Sequence, residues 1–469
     1  MQARPARLPE TIVKDLTQGP IARQLVALAV PIAAGMVFQT LYYLVDLYFV
    51  AGLGGPAIAG VSAAGTIAFV VLALTQVLGV GTVALVSHAA GRKDRSEANL
   101  VFNQSVVLSA LCGLLTLACG YLLTGPYVRS VAADAAAAAD GASYLYWYAP
   151  GLALQFAMVA MGSALRGTGI VQPTVIVQVL TVVLNTVLAP VLIAGWGTHR
   201  PLGVAGAGLA STISIACGVV CLWVYFVRLE HYVALRPALW RPRAQTIGRL
   251  LNIGLPAGGE FFMMFIIMVV IYWAIRGFGP DAQAGAGVGS RVMQAFMLPV
   301  LAIAFAASPL AGQNFGARNV ARVRETFWVA AVMSCVCMLA STLLCQWRPE
   351  RLIRIFTTDA AVIAVGATYL RICSWNFVAS GIIFTCSSLF QAVGNTWPSL
   401  LSSVFRLATF VVPAVWLSLQ TNFQLRQLWY LSVGSVALQA LTSFALLRGQ
   451  VRRSLGVDLV TSQPVRTAG

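Results

Sequence analysis

Charged residues are scarce in this chain of 469 residues: they make up 9% of it, against about 25% in an average globular protein. Only two lysines occur, Lys14 after a valine and Lys93 after an arginine, so the sequence contains no G-x-x-x-x-G-K-[ST] phosphate-binding loop. The three histidines cannot form an H-E-x-x-H zinc motif, and no G-x-S-x-G nucleophile motif occurs. The nine cysteines contain no C-x-x-C pair, and we interpret them as small buried hydrophobic residues. We therefore expect neither a nucleotide-driven pump nor an enzyme.

Hydrophobic residues, in contrast, make up 59% of the chain. Apolar stretches of at least about 20 residues, the length that a helix needs to cross the hydrocarbon core of a bilayer, recur along the whole sequence. They predict an all-α integral membrane protein with twelve transmembrane helices. The predicted spans are 24–50, 57–90, 97–124, 139–165, 171–194, 203–228, 247–275, 283–314, 320–346, 362–393, 397–419 and 427–447.

The net charge of +16 is unevenly distributed between the two sides of the predicted membrane. Of the 30 lysines and arginines, 20 lie on or next to the side that holds both termini, 7 lie on the opposite side, and 3 (Arg291, Arg371 and Arg406) lie deeper within spans. By the positive-inside rule both termini are predicted to be cytoplasmic. The charge therefore encodes topology, and we expect anionic lipid headgroups, not nucleic acid, as its partners.

An internal repeat with a constant spacing of 225 residues and no gap covers nearly half of the chain. It relates glycines and prolines as well as apolar segments, so chance resemblance between spans does not explain it. Each copy holds six predicted spans, which gives both copies the same orientation in the membrane. Related pairs are Pro31 and Pro256, Gly54 and Gly279, Gly60 and Gly285, Gly141 and Gly366, and Gly169 and Gly394.

The repeat predicts two six-helix lobes that rock against each other to give alternating access. The predicted organisation is a cytoplasmic tail (1–23), an N-terminal lobe (24–228), a cytoplasmic connector (229–246), a C-terminal lobe (247–449) and a second cytoplasmic tail (450–469).

Two carboxylates, Asp46 and Glu260, are the ones of the 14 acidic residues that fall inside apolar spans away from any other charged residue. A charge at the centre of a spanning helix costs about 2.5–3.5 kcal/mol on insertion scales, so such residues are functional candidates. Gln39, Tyr42 and Tyr43 lie seven, four and three positions before Asp46 and form a polar stripe on one helix face. We expect this face to line the lobe interior, with Asp46 carrying a proton. The alternative is a structural aspartate that is hydrogen-bonded to neighbouring helices.

Glu260 is not equivalent to Asp46 in the repeat and is expected to have a different task. Either it forms an ion pair with Arg291 that organises the lobe, or it is a second proton site or an anionic contact for cationic substrates. Gln294 is a further polar candidate near Arg291. Met264 and adjacent phenylalanines could form an adaptable wall for flat cations, although ordinary helix packing explains these residues equally well.

Four segments resemble the multidrug and toxic compound extrusion (MATE) family of secondary transporters. They are VDLYFVAGLGGPAIAGVSAAG (45–65), ALRGTGIVQPTVIVQVLTVVLNTVLAPVLI (164–193), LGVAGAGLASTIS (202–214) and AGQNFGARN (311–319). The resemblance implies two six-helix bundles that form a V-shaped cleft. It also implies exchange of protons or sodium ions for organic cations or other amphipathic compounds.

The resemblance also suggests roles for individual residues. Asp46 occupies the position of the family's first-helix acid, which is implicated in cation coupling, and Asn185 matches its fifth-helix asparagine. Ser211 stands in place of a sixth-helix threonine of the same polar network. Tyr146 or Tyr148 would supply the fourth-helix tyrosine.

Three departures from the family pattern concern the coupling ion. Ala189 stands where a second acid often follows the asparagine, and Met264 stands where the sodium-coupled branch has its seventh-helix glutamate. Ser380 lies near the position of that branch's tenth-helix aspartate. These departures favour proton coupling through Asp46 but do not exclude sodium, because asparagine, serine and backbone oxygens can complete a sodium site.

The sequence thus predicts a multi-pass antiporter of a bacterial cytoplasmic (inner) membrane. It would export amphipathic, mostly cationic drugs or toxic compounds in exchange for protons, without a cofactor and as a functional monomer. The alternatives are sodium coupling, a flippase for a lipid-linked precursor, and a channel or receptor of another class. A flippase would need several cavity cations for phosphate, and Arg291 is the one good candidate.

Overall fold

A computed structural model describes residues 15–132, 134–196, 201–230 and 232–459. For a few helical residues in these ranges, among them Tyr43 and Asp46, it describes only the backbone. The fold is all-α, as predicted. The helices are α1 (Ile21–Ala51), α2 (Gly55–Gly91), α3 (Arg95–Val131), α4 (Ala135–Gly167), α5 (Gln172–Ile193), α6 (Val204–Arg228), α7 (Ala244–Ile275), α8 (Pro280–Gly316), α9 (Val320–Trp347), α10 (Pro349–Arg354), α11 (Ala360–Cys373), α12 (Asn376–Val393), α13 (Trp397–Ser418) and α14 (Leu425–Leu455).

Twelve helices in the described part of the chain are long and apolar enough to cross a membrane, which confirms the predicted number. One predicted span, 362–393, differs: it is broken into α11 and α12 around Ser374. Side chains of α9 meet the backbone at this break, since Gln346 Nε2 donates to the carbonyl of Arg371 (2.6 Å) and Thr342 Oγ1 to that of Ser374 (3.0 Å). A broken helix is tolerated at membrane depth only when its backbone groups are satisfied in this way.

The 225-residue repeat recurs in the backbone conformation. Lys93 and Arg318, which are related by the repeat, each lie two residues after the end of a helix and have positive φ angles of 59° and 57°. Gly169 (φ 82°) and Gly394 (φ 78°) form a second such pair. Because left-handed backbone is rare for residues other than glycine, its recurrence at Lys93 and Arg318 shows that the two copies share loop geometry.

Glycines allow close helix packing inside each copy. A Cβ on Gly60 of α2 would lie 2.6 Å from the amide nitrogen of Gly141 in α4. The related Gly285 of α8 and Gly366 of α11 also meet, since a Cβ on Gly366 would lie 3.2 Å from the Gly285 carbonyl oxygen. Small-residue contacts of this kind bring membrane helices together when the hydrophobic effect cannot.

By its contacts the chain divides into two compact units. The first comprises the described residues of Met1–Gln18 and Phe38–Leu250, and the second comprises Gly19–Val37 and the described residues from Leu251 onward. The predicted lobes differ from these units at α1, whose first part groups with the second unit.

Polar contacts explain why the first part of α1 groups with the second unit. The Arg322 guanidinium of α9 donates to the Gly19 carbonyl (Nη1, 2.9 Å) and to Gln24 Oε1 (Nη2, 3.2 Å). Leu25 and Leu28 of the same segment are buried, with 0% and 1% exposure. Sequence spacing alone could not predict this association.

The connector between the repeats is fixed to α3 by two buried asparagines. Asn99 donates to the Tyr232 carbonyl (2.9 Å) and accepts from the Ala234 amide (2.8 Å). Asn103 donates to the Ala234 carbonyl (2.9 Å) and accepts from the Arg236 amide (2.8 Å). The two side-chain amides thus pair with alternate connector residues as a neighbouring β-strand would.

Candidate functional site

Asn185 and Ser211, predicted to share a polar network, meet in the first unit. Asn185 Nδ2 of α5 donates to Ser211 Oγ of α6 over 3.3 Å, and both residues are at most 1% exposed. Gly206 lets the helices approach, because a Cβ there would lie 2.5 Å from the Leu192 carbonyl oxygen. Within the described residues Asn185 Oδ1 has no partner, so this buried acceptor can receive one more hydrogen bond.

The predicted stripe on α1 is described only in part. Gln39 and Tyr42 are half-buried, whereas the side chains of Tyr43 and Asp46 lie outside the described part of the structure. The backbone of Asp46 belongs to the section of α1 that groups with the first unit, as Asn185 does. The role of Asp46 stays a prediction.

The two candidate tyrosines of α4 differ in their surroundings. Tyr146 is 43% exposed and stacks on Tyr121 of α3, with ring centroids 5.9 Å apart. Tyr148 is buried, and its ring lies 5.2 Å from that of Tyr144. Of the two candidates, Tyr148 therefore faces the interior of its unit and Tyr146 does not.

Glu260 of α7 is held by two serines in the second unit. Its Oε2 accepts hydrogen bonds from Ser399 Oγ of α13 (2.8 Å) and from Ser387 Oγ of α12 (3.1 Å). The two hydroxyls are 3.1 Å apart and the serines are at most 6% exposed. Nearby, Thr396 Oγ1 donates to the Ile253 carbonyl (2.5 Å), which fastens the start of α13 to α7.

This three-oxygen cluster suits both charge states of the carboxyl group. Serine hydroxyls donate to a carboxylate, and either can rotate to accept from a protonated carboxylic acid. No basic side chain is paired with Glu260 within the described residues. The cluster can therefore take up and release a proton without breaking an ion pair.

The ion pair between Glu260 and Arg291, one of the alternatives for Glu260, is absent among the described residues. Arg291 is exposed, as are Gln294 and Ala295 on the same face of α8. Residues three and four positions apart share one face of a helix, so this face points away from the interior of its unit. Depth in the membrane suggested the pair, but the rotation of α8 about its axis prevents it. Met264 is 53% exposed and does not contribute to the Glu260 cluster.

Sequence reasoning missed Ser387 and Ser399. Serines are common in membrane helices, so their presence alone carries no signal. The repeat, however, contained a signal for Ser399, because its repeat mate Thr174 also carries a hydroxyl group. The repeat mate of Ser387 is Gly162. In the first unit a Cβ on Gly162 would lie 3.0 Å from Thr174 Cγ2, so the same helix faces meet in both copies.

The sequence model of the MatE family matches residues 31–191 and again residues 256–417. The chain belongs to the MatE family. The two matches begin 225 residues apart, at the spacing of the internal repeat. The resemblance drawn from the four segments is thereby confirmed.

Known proteins resemble this member of the MatE family over most of its length. The probable multidrug resistance protein YpnP of Bacillus subtilis is 26% identical over 381 residues, which cover 81% of this chain and 84% of the relative. The multidrug export protein MepA of Staphylococcus aureus is 24% identical over 417 residues, or 85% of this chain and 88% of MepA. The solved structure of a MOP superfamily transporter from Pyrococcus furiosus matches with a TM-score of 0.87 and 25% sequence identity. The match covers 94% of this chain and 98% of that transporter's chain.

Proposed function

We propose that this MatE-family protein exports amphipathic, mostly cationic compounds in exchange for protons by alternating access. The observation that carries proton coupling is the Glu260 cluster, in which two buried serines surround a membrane carboxyl group that has no basic partner within the described residues. The names of YpnP and MepA, a probable multidrug resistance protein and a multidrug export protein, support the class of substrate.

In the proposed cycle Asp46 and Glu260 are the proton sites of the two repeats. Asp46 is deprotonated while substrate is held and is protonated from outside. Its protonation rearranges the network around Asn185 and Ser211, whose free acceptor Asn185 Oδ1 can receive a new hydrogen bond. That rearrangement drives release of the substrate.

The protein would act as a monomer in a bacterial cytoplasmic membrane with both termini inside. The excess of lysine and arginine on the side of the termini supports this topology, and the bacterial relatives support the host membrane.

The test is substrate efflux from proteoliposomes that carry either a proton gradient or a sodium gradient. Purified wild type is compared with Asp46→Asn and Glu260→Gln, at equal protein content. Asp281→Asn is the matched control, because Asp281 is an exposed acid in the first turn of α8. The cation ethidium serves as the fluorescent probe.

We expect the proton gradient alone to drive export, Asp46→Asn to abolish it and Glu260→Gln to lower it at least tenfold, with Asp281→Asn unchanged. Export driven by sodium alone would contradict proton coupling. Full proton-driven export by Asp46→Asn would contradict the proposed coupling role of Asp46.

A further inference from the structure

The second unit contains a seam of buried polar side chains between α12, α13 and α14. It continues from the Glu260 cluster: Gln439 Nε2 of α14 donates to Ser403 Oγ of α13 (3.2 Å), one turn beyond Ser399. Two turns before Gln439 on α14, Ser432 Oγ lies 3.4 Å from Asn376 Nδ2 of α12. The members are all at most 7% exposed: Asn376, Ser387, Ser399, Ser403, Ser432, Ser435, Gln439 and Ser443.

The seam extends through about half of the thickness of the hydrocarbon core. The eleven helical rises between Ser432 and Ser443 correspond to about 16 Å, roughly half of the ~30 Å hydrocarbon core. A short segment joins α13 to α14, so the two helices are antiparallel. From the contact of Gln439 with Ser403, this register places Ser443 at the level of Ser399 and Val436 at the level of Arg406.

Several polar atoms of the seam, and of the adjoining Arg406 of α13 and Trp429 of α14, lack a protein partner among the described residues. Asn376 Oδ1 and Gln439 Oε1 are buried acceptors, Arg406 Nε and Trp429 Nε1 are buried donors, and Ser443 Oγ can be either. An unsatisfied polar group in hydrocarbon costs several kcal/mol. A cation would satisfy only the acceptors and an anion only the donors, whereas water satisfies both kinds.

A file of water raises a problem in an energised membrane, because hydrogen-bonded water conducts protons. Arg406 lies on α13 three residues after Ser403, and no acidic side chain in the described chain is paired with it. The titratable group that interacts electrostatically with Arg406 is Tyr369, which in turn interacts with Tyr272 and Cys373. A fixed positive charge in a narrow hydrated path repels hydronium and stops proton flow.

We propose that the seam holds a file of ordered water molecules and that Arg406 prevents this file from leaking protons across the second unit. The proposal is independent of which ion drives export. It assigns the seam a ligand, water, and assigns Arg406 the role of an electrostatic barrier.

The experiment measures passive proton permeability in proteoliposomes without substrate. An external acid step is applied to vesicles that contain a pH-sensitive dye, with the membrane potential clamped by potassium and valinomycin. Wild type should be as tight as protein-free vesicles. Arg406→Gln should leak about tenfold faster, which corresponds to ~1.4 kcal/mol of barrier, and Arg406→Lys should remain tight because it keeps the charge.

Two further variants locate the leak. Arg406→Gln combined with Gln439→Leu should be tight again, because the leucine removes polar groups from the seam. Arg371→Gln is the matched control, since Arg371 is exposed and paired with Glu350, and it should not leak. A tight Arg406→Gln, or a double variant that leaks as fast as the single one, would overturn the proposal.

A structure of the wild type at a resolution that shows ordered water gives a second test if Arg406→Gln does not fold. Density within hydrogen-bonding distance of Asn376 Oδ1 and Gln439 Oε1 is expected. A dry seam would overturn the proposal.

Discussion

At the scale of single residues, the second repeat shows what sequence can and cannot predict about a membrane carboxylate. The apolar surroundings singled out Glu260 correctly as a residue inside a span. They did not identify its partners, because membrane depth was known but helix rotation was not. Ser387 and Ser399, not Arg291, are the side chains that bond to the carboxylate, both at Oε2.

Arg291→Gln tests the absence of the ion pair. The side chain is exposed and unpaired with Glu260, so the variant should change stability by no more than about 0.5 kcal/mol, as surface substitutions do. Thermal unfolding in detergent measures it. A large loss of stability would restore the ion pair as the explanation for Glu260.

Asn185→Leu tests the polar contact of the first unit. The variant keeps the approximate size of the side chain but removes its hydrogen bond to Ser211 and its free acceptor. We expect proton-driven export to fall at least tenfold while the protein remains folded. Thr181→Val is the control, since Thr181 lies one turn earlier on α5 and bonds to its own helix at Gln178. Equal losses in the two variants would mean that α5 packing, not the Asn185 network, is required.

At the scale of helices, the sequence predicted most elements because their causes are local. Apolar length defines the spans, and glycines and prolines mark the turns at matching repeat positions. The break between α11 and α12 was missed, because it depends on Gln346 and Thr342 of another helix to satisfy its backbone. The placement of the first part of α1 was missed for the same reason.

Gly60→Ala tests the close approach of α2 and α4. An added Cβ would lie 2.7 Å from the Ala137 carbonyl oxygen, so the helices must separate, at a cost of about 1–3 kcal/mol. Gly65→Ala is the control on the same helix, because a Cβ there meets nothing within 4 Å. Unfolding of the purified variants should show destabilisation only for Gly60→Ala. Equal stability would contradict the close packing.

Asn103→Leu tests the attachment of the connector to α3. It removes the hydrogen bonds to the Ala234 carbonyl and from the Arg236 amide, so exchange of the Arg236 amide hydrogen should accelerate at least tenfold. Ser109→Ala, on the same helix, removes only a bond to Val106 of α3 itself and should leave the connector protected. Unchanged protection in Asn103→Leu would show that other contacts hold the connector.

At the scale of the whole molecule, the 225-residue repeat organises both the fold and the proposed mechanism. Backbone geometry repeats closely, as at Lys93 and Arg318, while the acids do not: Asp46 and Glu260 occupy unrelated positions. A duplicated scaffold thus carries two different candidate proton sites. The sequence identifies this asymmetry from the repeat spacing alone.

The most direct test of proton-coupled export is reciprocal transport. Vesicles are loaded with substrate and diluted at equal internal and external pH and sodium, so that the substrate gradient is the only driving force. Exit of substrate should draw protons inward and acidify the interior, and Asp46→Asn should eliminate this signal. Substrate exit that is accompanied by uptake of radioactive sodium, with no change of internal pH, would contradict the account.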